Sequence, residues 1–239
     1  MKTIHEQAYE IMNVIKSNKR FAKIQHVQSV LSAKYGKVVV AGGSLCDCFF
    51  DKDFYDIDLF ITADELKEEF KKEYDPNKPL ADVLRDEIDG EAIDIIVLNI
   101  SIAKHVQKFD QNFKKIYYDG TLHICKQAVS DLINNEITLG SFNGPVVFFR
   151  CIKSSMKYNM SINPIDKMLM QNYLDSMDHI KVAKKYDEYV KYYHRQHHYD
   201  ETIVKHMKIA AKSYWNINRH FVSIRSIKKR LAELNLINN

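Results

Sequence analysis

Val40-Ala41-Gly42-Gly43-Ser44 and, a short spacer later, Tyr55-Asp56-Ile57-Asp58-Leu59-Phe60-Ile61 set the architecture of this chain. The first stretch closes an apolar run that begins at Lys37-Val38-Val39, the pattern of a strand that ends in a tight turn ahead of a helix. Glycines carry no Cβ, so backbone N–H groups at Gly42 and Gly43 can approach a phosphate closely, and the Ser44 hydroxyl adds a donor. The second stretch alternates acidic and apolar side chains, as a strand with two unlike faces does. Residues i and i+2 of a strand share a face, so Asp56 and Asp58 project together. Two carboxylates at that spacing repel unless a cation stands between them, and unpartnered acids in a half-buried strand are costly. Hard oxygen ligands suit Mg²⁺, which also takes phosphate oxygens and water. An Asp-x-Asp alone belongs as readily to a solvated turn, and Gly-Gly alone says little. The combination in one apolar setting is what points to a functional site.

A further strand is expected at Ala92-Ile93-Asp94-Ile95-Ile96-Val97-Leu98, where Asp94 can supply a third ligand. Ahead of the glycine turn, apolar residues recur at helical spacing over residues 5–16 (Ala8, Ile11, Met12, Ile15) and 20–34 (Phe21, Ile24, Val27, Val30, Leu31). Residues 63–73 read as a solvated helix broken by Asp75-Pro76-Asn77, and Tyr118-Asp119-Gly120-Thr121 as a hairpin turn. From Pro145 onward strand signals fade. Helices are expected over 146–158, 165–174, 178–194, 200–219 and 223–235. The fold class is therefore α+β: a small mixed-sheet domain over residues 1–142, then an all-α part over 143–239.

Composition narrows the function classes. With 239 residues, 46% hydrophobic, only 7 Gly and 4 Pro, the chain can bury a real core and is not a disordered or collagen-like polymer. Four cysteines without framework spacing suit a reduced, intracellular protein, and the Cys46-x-Cys48 pair reads as small buried thiols rather than half of a metal site. The N-terminus has no apolar leader core and no apolar run reaches the length of a membrane span, so a soluble cytoplasmic protein is expected. Charge is unevenly spread. Residues 151–239 hold 16 Lys/Arg against 8 Asp/Glu, a net +8, which leaves residues 1–150 at −4 of the total +4. An acidic front and a basic back fit a metal-binding domain joined to a polyanion-binding one, although lysine-rich solvated helices give the same count.

The order apolar-Gly-Gly-Ser, spacer, Asp-x-Asp and a later single acid resembles the DNA polymerase β-like nucleotidyltransferase superfamily. Within it the chain looks most like the head and neck of the class II tRNA CCA-adding enzymes and bacterial poly(A) polymerases. Gly42-Gly43-Ser44-Leu45-Cys46-Asp47 is similar to the family's Gly-Gly-x-Val-Arg-Asp, with Cys46 at the arginine's place. Tyr55-Asp56-Ile57-Asp58-Leu59 matches its metal motif, and Ile93-Asp94-Ile95 sits where its third acid falls. Lys108-Phe109-Asp110-Gln111-Asn112-Phe113 resembles a weakened Arg-Arg-Asp-Phe-Thr-Ile-Asn, followed by the Tyr118-Asp119-Gly120 turn and Ser130-Asp131-Leu132. Phe149-Arg150-Cys151-Ile152-Lys153 resembles the start of the neck helix. The likeness covers roughly residues 37–160. The base-selecting Glu-Asp-x-x-Arg would fall on Asn143-Gly144-Pro145-Val146-Val147, where all its key residues are missing.

The resemblance implies a template-independent nucleotidyltransferase that moves a nucleoside monophosphate from an NTP to an RNA 3′ end, with tRNA the first candidate acceptor. It implies two Mg²⁺ ions held by Asp56, Asp58 and Asp94. It also implies nucleotide contacts from Gly42, Gly43, Ser44, Asp47, Lys108, Asp110, Arg150 and Lys153. In the tail, cations alternate with aromatics between Tyr186 and His220, which makes Lys191, Arg195, Lys205, Lys208, Lys212 and Arg219 candidate RNA contacts. The alternative there is a helical core of Tyr192, Ile203, Met207, Ala210 and Trp215 with solvated lysines. His194, His197 and His198 read as a solvated histidine-rich turn. Two other functions stay open: transfer to a protein or small molecule, as in toxin-like relatives, and an inactive binding module. Oligomeric state is not legible.

Overall fold

The computed structural model describes residues 2–54, 56–71, 82–89, 91–142 and 144–176. The expected helices 178–194, 200–219 and 223–235, the histidine-rich turn and all six candidate RNA contacts lie outside the described residues. The chain separates into two compact units, Met1–Asn134 and Asn135–Asn239.

The first unit opens with two helices, α1 (Ile4–Ser17) and α2 (Phe21–Tyr35). Thr3 starts α1 as a capping box: the Glu6 N–H donates to Thr3 Oγ1 at 3.3 Å and Glu6 Oε2 accepts from the Thr3 N–H at 2.7 Å. Of the apolar positions that predict the helices, Ile11, Ile15, Phe21, Ile24, Val27 and Leu31 lie in the core, whereas Ala8 and Met12 are half-buried and Val30 is exposed.

A six-stranded mixed sheet follows. Its strands are β1 (Val39–Ala41), β2 (Leu59–Thr62), β3 (Asp82–Ile88), β4 (Glu91–Leu98), β5 (Ile116–Tyr118) and β6 (Leu122–Ile124), in the order β3-β4-β2-β1-β5-β6. Only β2 and β4 run parallel, with Leu59 opposite Ile95 and Ile61 opposite Val97. Among the described residues, the unit also holds α3 (Gly43–Phe49), α4 (Glu68–Lys71), α5 (Ile102–Gln107) and α6 (Lys126–Asn134). One face of the sheet carries Val40, Leu59, Ile61, Ile95 and Val97, all fully buried. The other carries Val39, Ala41, Phe60 and Leu98, which pack with Ile102 and Val106 of α5. Each such fully buried aliphatic side chain contributes about 1.5–3 kcal/mol relative to leaving it in water.

Three expectations need correction. Of the solvated helix expected over 63–73, the described residues to Lys71 form turns at 63–65 and the helical turn α4. Strand β3 was not expected. It pairs antiparallel with the whole of β4, and the connection turns at Asp89 with φ +54°. The ladder of β2 begins at Leu59, so Asp56, Ile57 and Asp58 form an extended approach to the strand rather than its first rungs.

In the second unit α7 (Pro145–Tyr158) and α8 (Pro164–Asp175) match the first two helices expected there. Pro145 sits at the start of α7, where its missing N–H is harmless, and Asn159 ends the helix in the left-handed region at φ 55°. This part is not wholly helical: β7 (Glu136–Ile137) and β8 (Ser161–Ile162) pair parallel as a two-stranded sheet. Among the described residues no helix is long and apolar enough to cross a membrane.

Candidate active site

The site grows from the end of β1. The Ala41 N–H donates to the Asp58 carbonyl at 3.1 Å, and the Gly42 N–H donates to the Ile116 carbonyl at 3.0 Å, so the strand is held on both sides up to its last residue. The chain then turns at Gly42 with φ 88° and ψ −127°, a conformation that L side chains rarely adopt, and enters α3 at Gly43.

Asp58 lies over this turn. A Cβ added to Gly42 would stand 3.4 Å from Asp58 Oδ2, and one added to Gly43 would stand 3.8 Å from the same oxygen. Asp56, Ile57 and Asp58 alternate exposed, buried, exposed, as expected of extended chain, which turns both acids toward solvent on one side. Asp94 is also exposed, between Ile93 and Ile95 that point into the core. Because Leu59 stands opposite Ile95 in a parallel ladder, Asp58 and Asp94 are the residues immediately ahead of the first rung on neighbouring strands. Residues at matching places on parallel strands share a face, so the two carboxylates stand on the same side of the sheet.

The acids share this edge without forming a closed ligand group. Among the described residues, no three His, Cys, Asp or Glu side chains are gathered closely enough to hold a metal ion. Exposed carboxylates repel, and water screens them best when they stand apart. The donor chemistry fits a hard divalent cation. The spacing present is that of acids which such a cation would still have to draw together.

Ser44 is 1% exposed, and its Oγ finds no hydrogen-bond partner among the described residues. A buried hydroxyl without a partner is uncommon and calls for an explanation. Asp47, one turn along α3, is 3% exposed and faces the interior. Cys46, at the place of the family arginine, is fully buried with its thiol donating to the Phe113 carbonyl at 3.5 Å, so this position serves packing. Cys48 is buried as well, and its thiol is pushed up to about 12, first by burial and then by the Asp47 carboxylate. Neither thiol is joined in a disulfide and both are buried, as the sequence reading expects.

The segment after α5 also meets the turn. Phe109 Cε2 would lie 3.4 Å from a Gly42 Cβ, and its ring packs on His105 and Phe60 at centroid distances of 5.5 and 6.3 Å. The Phe109 neighbours Lys108, exposed at the end of α5, and Asp110, half-buried, are thereby brought to the glycine turn. Burial, and secondarily Lys108, holds the His105 imidazole below its usual range, so His105 is a neutral member of this aromatic cluster near pH 7. Phe109 was not among the residues expected to matter. Its position inside the Lys108–Phe113 motif was the available signal. Arg150 and Lys153 lie one turn apart on α7, in the second unit.

No family model matches the sequence, and no curated protein sequence matches it significantly. Solved structures do match. The Thermotoga maritima CCA-adding enzyme complexed with tRNA is similar over 95% of this chain and 60% of its own, with 13% identity and a TM-score of 0.53. A CCA-adding enzyme complexed with ATP is similar over 96% of this chain and 64% of its own, at 14% identity and TM-score 0.53. A tRNA nucleotidyltransferase with a primer tRNA and an incoming ATP analogue gives 83% and 64%, again at 14% identity and TM-score 0.53. The chain spans about three fifths of the length of these structures. The chain shares its fold with these solved structures.

Proposed function

We propose that the chain is a nucleotidyltransferase that moves a nucleoside monophosphate from an NTP to the 3′ end of an RNA, with tRNA the first acceptor to test. The observation that carries this reading is the Asp58 carboxylate packed over Gly42 and Gly43, with Asp94 at the matching place on the next strand. An acidic edge beside a turn open to phosphate, in a fold shared with tRNA-processing enzymes, suits phosphoryl chemistry.

In the reaction an acceptor hydroxyl oxygen attacks the α-phosphorus in line, the bond to the β-phosphate oxygen breaks, and pyrophosphate leaves with its electron pair. Asp56, Asp58 and Asp94 are the residues that would hold Mg²⁺, two ions by family resemblance. A metal held there would supply positive charge against the phosphates and would lower the pKa of the attacking hydroxyl. The chain's own part is positioning. Gly42 and Gly43 leave room for a phosphate beside Asp58, the unpartnered Ser44 hydroxyl is a donor for one of its oxygens, and Lys108 supplies positive charge at the turn. Phe109 packs beside the turn at Gly42. Arg150, Lys153 and the basic tail are candidate contacts for nucleotide and RNA.

Incubation of the chain with each labelled NTP, Mg²⁺ and a mixed tRNA pool tests the proposal. Labelled RNA is the expected product. A labelled protein or small molecule would move the activity to another acceptor class, and no transfer from any NTP would remove the enzyme reading.

A further inference from the structure

Asp51, Asp53, Asp56 and Asp58 place four negative charges within eight consecutive residues, and the first two converge on one cation. Arg20 Nη1 donates to Asp51 Oδ1 at 2.6 Å, while Nε and Nη2 both donate to Asp53 Oδ1 at 2.8 and 2.6 Å. The Arg20 side chain is partly covered, at 23% exposed, whereas those of Asp51 and Asp53 are 80% and 77% exposed. Arg20 itself is fixed. It stands at the head of α2, its N–H donates to Asn18 Oδ1 at 2.9 Å, and the next residue, Phe21, is buried. Asn18 ties the same corner to the end of α3, donating to the Cys48 carbonyl at 2.9 Å and to Asp51 Oδ1 at 3.1 Å. Asp51 takes the left-handed conformation at φ 51°, and the Lys52 N–H returns to the Asp47 carbonyl at 2.8 Å, the long bond of a Schellman helix end.

We infer that Arg20 is a positioning residue for the acids of the proposed active site, an inference that rests on the reading of Asp56 and Asp58 as metal ligands. Asp56 follows Asp53 by three positions, and the Asp58 carbonyl is bonded to the Ala41 N–H. The acid-bearing chain is thus pinned at both ends, by Arg20 before Asp56 and by β1 at Asp58. Loss of the guanidinium fork frees the first end and leaves Asp51 and Asp53 to repel the acids beyond them.

The sign of one measurement separates positioning from plain electrostatics. Removing a positive charge makes the neighbourhood more negative, which by Coulomb attraction alone tightens cation binding. Loss of positioning loosens it. Mn²⁺ is the probe, titrated by electron paramagnetic resonance into the full chain, with melting curves recorded for every variant. Arg20→Gln is expected to weaken Mn²⁺ binding about 10-fold, the lower end for loss of a group that orients metal ligands, and Arg20→Lys less, since it keeps charge but not the fork. Should Arg20→Gln fail to fold, Arg20→Lys carries the test: it keeps the charge, so weaker Mn²⁺ binding there reports loss of the fork alone. Wild-type or tighter Mn²⁺ binding in folded Arg20→Gln, or in Arg20→Lys where only that variant folds, while Asp58→Asn loses binding, overturns the inference alone. Undiminished binding in Asp58→Asn overturns the metal reading and the inference with it.

Discussion

Asp58 Oδ2 lies in van der Waals range of the Gly42 turn, 3.4 Å from the point that a Gly42 Cβ would occupy. The carboxylate and the glycine turn come from different strands, and the backbone bond from the Ala41 N–H to the Asp58 carbonyl locks them in register. The expected consequence is that Gly42 and Gly120 respond differently to alanine. Both have positive φ, 88° and 103°, so each variant bears backbone strain of about 1–3 kcal/mol. Nothing lies within 4 Å of a Gly120 Cβ, whereas the Gly42 methyl meets Asp58 and Phe109. Urea unfolding should show a loss in both, and NTP transfer should fall well beyond the stability effect only in Gly42→Ala.

Cys48 gives the stability a pH dependence of known sign. Its folded thiol is pushed up to about 12 from 9.0 by burial, so above pH 9 the unfolded chain releases this proton while the folded chain keeps it. Stability then falls as pH rises across that window, by about 1.4 kcal/mol per pH unit from this group. Denaturant melts of wild type and Cys48→Ala at pH 8, 9 and 10 should converge on the alkaline side. Parallel curves would contradict the burial of the thiol. Alkylation by iodoacetamide at pH 8 should spare Cys48 in the native protein.

Lys115 has the opposite sign. It is 5% exposed, and burial lowers its pKa against the opposing pull of Cys125 and Asp131. From its lowered folded value up to the ordinary lysine range the unfolded chain binds the proton more tightly, so this group adds stability as pH rises. The difference in melting temperature between wild type and Lys115→Met should move in favour of wild type as pH is raised from neutrality to 10. A difference that is flat or moves the other way would place Lys115 as a charged, solvated group.

Much of this was legible in the sequence, and for physical reasons. Asp-x-Asp beside apolar residues and a Gly-Gly-Ser after a valine run are local patterns, and each folded as its period dictates. What was missed depends on partners distant along the chain. Strand β3 holds Asp82, Arg85, Asp86 and Glu87 and lies at the sheet's edge, where charge is tolerated because only one side is paired. The Asp-Gly pair that predicts the hairpin at Asp119-Gly120 recurs at Asp89-Gly90 and was the usable signal for it. The tie between Arg20 and Asp51 spans 31 positions, and the contact of Phe109 with Gly42 spans 67, so no short-range pattern announces either. Cys46 is the reverse case. Compared with the family arginine it looks like a lost substrate contact, yet the fold uses it as a buried neighbour of the Phe113 carbonyl.

The acids themselves are exposed, so removing them should spare the fold. Asp56→Ala and Asp58→Ala should retain the wild-type circular dichroism and melting temperature within about 0.5 kcal/mol, as surface substitutions do. Asp94→Ala should behave likewise, with a large fall in transfer.

Transfer of label from an α-³²P NTP to tRNA by wild type and by Asp58→Asn, each with Mg²⁺ and with excess EDTA, tests the central claim most directly. Asn keeps the size and extended backbone and removes only the charge, so the expected result is labelled RNA from wild type with Mg²⁺ and none from the other three reactions. Undiminished transfer by Asp58→Asn would contradict the assignment of this carboxylate to the chemistry.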